Sequence, residues 1–161
     1  MFRVGLGFDS HSFDESKNKP LKLGGVIISE EISLKGHSDA DVLLHALTDA
    51  LLGAVGAPDI GELFPPTSPE WKDADSVIFL NEALRIVREA GFDIVNVDCV
   101  IICNRPKISP HKEKIRENLA RLLKVDSGRV NLKGKTCEGF CNGDGISVIC
   151  TVLLESASAG G

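Results

Sequence analysis

Residues 93–104 constrain this chain more than any other stretch. Val97, Cys99 and Ile101 alternate with Asp98, Val100 and Ile102, so the second half of the segment is apolar on both sides of an extended strand. A strand of that kind needs cover on both faces of its sheet. Helical patterns cover one face. Residues 38–55 carry Leu43, Leu44, Leu47, Leu51 and Leu52 at helical spacing, and residues 75–90 and 110–123 give two more helices. Pro110 suits a first helical turn and Gly91 a helix end. The pattern predicts an α/β (α+β) two-layer sandwich, one mixed sheet with helices on one face. The other apolar face calls for a partner subunit.

The remaining segments fit that plan. Phe2–Phe8 reads as a strand ending at Asp9, and residues 21–28 as two short pieces around Gly24-Gly25. Residues 130–135 and 146–154 read as further strands. Ser38 is predicted to cap the first helix, with Asp41 as the acid of a short capping box. Residues 56–71 form a loop rich in Pro, Gly and Asp, and loops of about 15 residues are often functional. No linker or repeat interrupts the chain. The expectation is one domain over residues 1–155 and a disordered tail over 156–161.

Composition narrows the function. The chain has 161 residues and a net charge of -5, which disfavours nucleic acid as a partner. No apolar stretch approaches the length of a membrane span, so no membrane partner is expected. The five cysteines cannot all pair, and Cys99/Cys103 and Cys137/Cys141 each enclose three residues rather than the two of a zinc knuckle. Reduced thiols in a cytoplasmic setting are expected, or in a plastid stroma if a transit peptide has been removed.

Four groups of residues could do chemistry. Asp9 and His11 lie two apart, so in an extended segment both reach one point beyond a strand end; alternatively Asp9 caps a turn beside an exposed histidine. His45 lies four residues from both Asp41 and Asp49 on one helix face. It is either a satisfied core histidine or a metal ligand oriented by a nearby acid. One Asp and two His leaving an open position would suit catalytic Zn²⁺. His37 precedes a helix start, where phosphate is attracted. Asp59 in the stiff loop Asp59–Thr67 could hold sugar hydroxyls or cap a turn. Lys135 and Thr136 offer donors to phosphate, and Glu138 offers hard oxygen to Mg²⁺.

These residues fall into a recognisable series: Gly5-x-Gly-Phe-Asp-Ser-His11, Gly24-Gly25, His37-Ser38-Asp39-x-Asp41-x-x-x-His45-Ala-Leu-Thr-Asp49, Asp59-Ile-Gly-x-Leu-Phe-Pro65, Arg105-Pro-Lys-Ile-Ser-Pro-His111 and Lys135-Thr-x-Glu138. In this order, over residues 2–154, the chain resembles the 2-C-methyl-D-erythritol 2,4-cyclodiphosphate synthase family of non-mevalonate isoprenoid biosynthesis.

The resemblance implies a homotrimer, its sheets packed around a threefold axis, with active sites shared between neighbours. It implies that Asp9, His11 and His45 bind Zn²⁺ or another divalent transition metal, and that Glu138 binds Mg²⁺ or Mn²⁺. His37 and Thr136 would be catalytic. Substrate contacts would come from Asp9, Ser10, His11, His37, Ser38, Asp59, Ile60, Gly61, Phe64, Pro65, Thr67 and Ser68. From the cytidine and phosphate side they would come from Cys103, Arg105, Pro106, Lys107, Ile108, Ser109, Lys135, Thr136, Cys137 and Glu138. The implied substrate is 4-diphosphocytidyl-2-C-methyl-D-erythritol 2-phosphate, cyclised with release of CMP.

Three departures stand out. Leu6 replaces a frequent His, Pro66 replaces a usual Asp, and the loop after Glu138 is short. No Lys or Arg follows Lys135. Relatives that hold an isoprenoid diphosphate in their central cavity use an Arg there, so weak or absent binding of that ligand is expected. Two rival readings use the same residues: a zinc-dependent nucleotide-diphosphate phosphohydrolase, which would give linear products, and a non-enzymatic trimeric metal-binding module, which would need a fourth protein ligand.

Overall fold

The computed structural model describes residues 1–158. In it, the strand that is apolar on both sides is β4 of a four-stranded sheet. The strands run β1 (Phe2–Ser12), β2 (Leu21–Leu23), β3 (Val26–Ser29), β4 (Phe92–Ile102), β5 (Val130–Lys135) and β6 (Gly145–Ser156). The helices are α1 (Val42–Ala54), α2 (Ile60–Leu63), α3 (Val77–Glu89) and α4 (Lys112–Leu123). The main sheet has the order β1-β6-β4-β5, and β2 and β3 form a separate hairpin. β6 is antiparallel to both β1 and β4, whereas β4 and β5 are parallel, joined through α4 as a crossover. The sheet is therefore mixed, as predicted.

Helices cover one face. Val97, Cys99 and Ile101 of β4 and Ile146, Val148, Cys150, Val152 and Leu154 of β6 are buried in one continuous core with Leu43, Leu44, Leu47 and Leu51 of α1. The opposite face stays open in the single chain. Phe2, Val4, Leu6 and Phe8 of β1 are each more than half exposed, from 59% to 68%.

β1 and α1 approach backbone to backbone. A Cβ on Gly5 would lie 1.8 Å from the Ala50 carbonyl oxygen, and one on Gly7 equally close to that of Ala46. Only glycine permits this contact. It brings the end of β1 beside His45 on α1.

Several boundaries differ from the sequence expectation. β1 runs to Ser12 rather than stopping at Asp9, because β6 continues alongside and pairs Asp9 with Val148 and His11 with Ile146. The polar run Asp9–Ser12 hides this, since a ladder uses backbone groups whatever the side chains. Helix α1 starts at Val42 with Asp41 as its cap, not Ser38. Ala40 has φ of 60°, which breaks the helical path before Asp41. The Asp41 carboxylate accepts from Leu44 N–H, Gly24 N–H and Gly25 N–H, and so ties the hairpin turn to the helix. The loop over residues 56–71 contains α2 and the 3-10 turn Pro69–Trp71. The expected disordered tail is ordered at its start: Ser156 N–H donates to Met1 O and Ala157 N–H to Gly91 O. The tail expectation for residues 159–161 lies outside the described residues.

Cys99, Cys103 and Cys150 are free and buried. Cys137 and Cys141 form a disulfide, with Cα atoms 5.7 Å apart, which corrects the expectation of five reduced thiols. The turn that follows β5 brings them together: Phe140 N–H donates to Cys137 O at 2.8 Å.

Candidate active site

Alternation along β1 puts Gly5, Gly7, Asp9 and His11 on the side facing α1. There His45 projects from the first turn of that helix. Asp9 Oδ2 lies 2.9 Å from His11 Nε2 and 3.2 Å from His45 Nδ1, and the two ring nitrogens are 3.4 Å apart. Among the described residues these three form a cluster whose ligand atoms all lie within 4.8 Å of one another. Ligands about 2.1 Å from a tetrahedral Zn²⁺ would be about 3.4 Å from each other. The spacing and the two-nitrogen, one-carboxylate donor set therefore fit a divalent transition metal. Among the described residues no cysteine and no fourth ligand joins the cluster, so one coordination position would remain open.

The electrostatics suit that role. Burial alone would raise the Asp9 carboxyl, but hydrogen bonds and charge from His11 and His45 outweigh it and hold it at about 2. Burial likewise opposes the charged form of His11, and the Asp9 hydrogen bond and charge overcome this and raise it. The cluster is an ionised carboxylate wedged between two imidazoles.

A cavity of about 190 Å³ opens beside it, lined by His11, His37, Ser38 and His45 and by Ile60, Gly61, Phe64, Pro66, Trp71 and Phe79. Phe64, Trp71 and Phe79 pack edge to face or tilted, with centroids 4.6 to 5.8 Å apart, and Phe79 reaches the His45 ring. His37 Nε2 donates to Ser68 O at 2.9 Å, which leaves its other ring nitrogen unengaged by this bond. The Asp59 side chain caps α2 in a reciprocal capping box with Glu62. Asp49 accepts from Ile60 N–H at 2.8 Å and so anchors this loop to α1, while burial raises the Asp49 carboxyl.

A second cleft, of about 710 Å³, lies where β4 and β5 end. Cys103, Asn104, Pro106, Lys107, Ile108, Ser109, Lys112, Lys133, Gly134, Lys135 and Thr136 line it. Cys103 N–H donates to Lys135 O at 2.9 Å, which closes the ladder between the two loops. Thr136 Oγ1 donates to Glu138 Oε1 at 2.7 Å. Glu138 belongs to no cluster of three potential ligands among the described residues.

The sheet order separates these two sites. β1 and β5 are opposite edge strands, so the histidine cluster sits at one edge and the basic cleft at the other. Both lie at the same end, where β1 stops opposite Gly145 and β4 and β5 stop together at Ile102 and Lys135.

Some predicted residues lie elsewhere. Ser10 faces away from the cluster and lines a separate cavity of about 470 Å³ with Phe8, Cys137 and Cys141. The Arg105 guanidinium stacks over Phe13, 4.2 Å from the ring centroid, and does not line the basic cleft. Thr67 and Pro65 do not line the histidine cavity. A further cavity of about 620 Å³ beside Arg88, Lys124 and Arg129 contains none of the predicted residues.

Sequence reasoning missed Trp71 and Ser76. Ser76 is fully buried at the cap position of α3, yet its side chain makes no cap bond. Its hydroxyl lies 2.8 Å from His45 Nε2 and donates to Asp39 Oδ1. A serine before a helix normally reads as a cap, so no local signal distinguishes it.

Comparison with known proteins agrees with this geometry. The YgbB family profile matches residues 2–155. The 2-C-methyl-D-erythritol 2,4-cyclodiphosphate synthase of Aquifex aeolicus is 58% identical over 94% of this chain and 96% of its own. The bifunctional IspDF structure from Campylobacter jejuni superposes with a TM-score of 0.91 at 43% identity, over 97% of this chain and 42% of that longer one. A CDP-bound structure of a 2C-methyl-D-erythritol-2,4-cyclodiphosphate synthase superposes with a TM-score of 0.87 at 40% identity, over 95% of this chain and all of that one.

Proposed function

The chain belongs to the YgbB family, and from that premise we propose how it performs the cyclodiphosphate synthase reaction of isoprenoid biosynthesis. The 2-phosphate of 4-diphosphocytidyl-2-C-methyl-D-erythritol 2-phosphate attacks the β-phosphorus. The new P–O bond closes the cyclic diphosphate, and the P–O bond to CMP breaks. Nucleophile and electrophile already belong to one molecule, so the protein must fold the substrate back and neutralise its charge.

The open three-residue cluster beside a cavity is the observation that carries this reading. Asp9, His11 and His45 would hold a divalent transition metal, zinc by the donor set, and Glu138 would hold Mg²⁺ or Mn²⁺. Bound there, such cations supply charge neutralisation to the diphosphate. His37 and Ser38, just before α1, would orient the diphosphate, and Asp59 to Gly61 the erythritol hydroxyls. Lys107 and the loop Cys103–Ser109 would take the cytidine, and Lys135 and Thr136 the phosphates. No general base is needed, because the attacking phosphate is ionised.

A single chain holds these groups at opposite edges of its sheet, which supports a site assembled from two subunits. The exposed apolar face of β1 supports the same arrangement, a homotrimer with sheets around a threefold axis. A cytoplasmic enzyme is the proposed setting; no helix among the described residues is long and apolar enough to cross a membrane.

Phosphorus NMR of the full chain with substrate, Zn²⁺ and Mg²⁺ tests the reading. Two coupled cyclic-diphosphate resonances with stoichiometric CMP are expected. Linear phosphates would instead mark a phosphohydrolase.

A further inference from the structure

His45 has two ring nitrogens, and only one faces Asp9 and His11. The other, Nε2, faces Ser76 Oγ at 2.8 Å. Behind Ser76 stands Asp39, whose Oδ1 takes the Ser76 hydroxyl and whose Oδ2 takes the Ser76 N–H at 3.1 Å. Asp39 also accepts from Asp41 N–H at 3.1 Å and lies 3.7 Å from Lys22 Nζ. Each of these hydrogen-bond and ion-pair partners is a donor.

Proton counting along this line has one outcome. A carboxylate only accepts, so the single hydroxyl proton of Ser76 goes to Asp39. The 2.8 Å contact between Ser76 Oγ and His45 Nε2 still needs a proton, and only the ring can supply it. Ser38 Oγ, 3.2 Å from the same nitrogen, already accepts from Ala40 N–H at 3.3 Å and can share the ring proton as a second acceptor. With the Nε2 proton held by Ser76, Nδ1 is the nitrogen left for a ligand: 3.2 Å from Asp9 Oδ2, it can share a proton with that carboxylate in the metal-free protein, and a bound cation would take the place of that proton.

We propose that Asp39 is a positioning residue that acts through Ser76 to fix His45 as the Nε2–H tautomer, so that its Nδ1 lone pair meets the cation. The proposal rests on the reading of Asp9, His11 and His45 as a metal site. Asp39 touches neither cation nor substrate in this scheme. It sets which nitrogen can ligate and holds the ring plane, the task that outer carboxylates perform at many metal-bound histidines.

Asp39→Asn is the informative change. An amide can turn its NH₂ toward Ser76, which would then donate to His45 Nε2 and drive the ring proton to Nδ1. Zinc affinity, measured on the full chain by competition with a chromophoric chelator, is expected to fall about 10- to 100-fold. Ser76→Ala should lower it similarly, and Ser76→Thr, which keeps the hydroxyl, should restore it. Long-range ¹H–¹⁵N spectra of histidine-labelled, metal-free protein should show His45 protonated on Nε2 in the parent and shifted toward Nδ1–H in Asp39→Asn.

The parent spectrum tests the proposal even if a variant fails to fold: His45 without a proton on Nε2 overturns it. Unchanged zinc affinity in a folded Asp39→Asn also overturns it. A parent that binds zinc through the three residues but makes no cyclic product defeats the proposed function and leaves this inference standing. A parent in which His45→Ala leaves zinc affinity intact defeats the premise itself.

Discussion

Gly7 of β1 rests directly on the backbone of Ala46 in α1, so close that a Cβ on Gly7 would fall 1.8 Å from the Ala46 carbonyl oxygen. This contact seats Asp9 and His11, two and four residues on, against His45. Gly7→Ala must therefore push the strand off the helix. It is expected to destabilise the fold by roughly 2 kcal/mol or more and to weaken zinc binding. Urea unfolding and metal titration of the same variant check both effects, and a variant as stable as the parent would contradict the close approach.

His45→Ala removes one of the three proposed ligands while leaving the leucines of α1 in place. Zinc content after dialysis should fall at least about tenfold, and cyclisation should be lost with it. The proposed trimer should persist in size-exclusion chromatography. Full zinc occupancy would refute the ligand assignment.

The Asp9–His11 pair predicts a pH window for the metal-free protein. The His11 value is raised above 6.5, so its contribution is complete below 6.5 and fades as pH rises through the higher folded value. Asp9 is lowered from 3.8 to about 2, so its contribution is complete above 3.8 and fades as pH falls toward 2. The stability lost in His11→Asn should thus be larger at pH 5 than at pH 9. Denaturant unfolding of parent and variant at both values measures this, and a pH-independent difference would contradict it.

Leu6 and Phe8 are 68% and 59% exposed on the open sheet face. Charge there opposes burial against a neighbour, so Leu6→Glu or Phe8→Glu should yield monomers by light scattering. If the site is shared between neighbours as proposed, cyclisation should then fall by about two orders of magnitude or more. Zinc binding at Asp9, His11 and His45, all within one chain, should survive. A fully active monomer would show that the site does not need a neighbour.

The disulfide between Cys137 and Cys141 predicts a thiol count. Denatured, unreduced protein should react at three thiols, Cys99, Cys103 and Cys150, and at five after reduction. Five thiols without reduction would show that the pair is open.

Much of this was legible in local patterns. The leucine periodicity of α1 and the double apolar character of β4 announced the layers. The two-residue step from Asp9 to His11 is a property of any extended chain, so their convergence could be read without a fold. Polar residues blurred the rest. Asp9–Ser12 lack an apolar alternation, so the last third of β1 carries no strand signal of its own. By spacing alone Asp41 reads as the third residue of a helix that it in fact caps, because the break at Ala40 depends on the hairpin turn that Asp41 binds.

Which side chains could bind a metal and a phosphate, and that helices would cover one side of a sheet, follow from local order along the chain. Spacing along one strand or one helix sets such features within a few residues. That His45 meets Asp9 across 36 residues and Ser76 across 31, and which ring nitrogen faces each, emerges only when the chain folds. Folding also sets the histidine cluster and the basic cleft at opposite edges of one sheet. Those outcomes follow from strand order and from the packing of distant backbones, which periodicity along the chain does not encode.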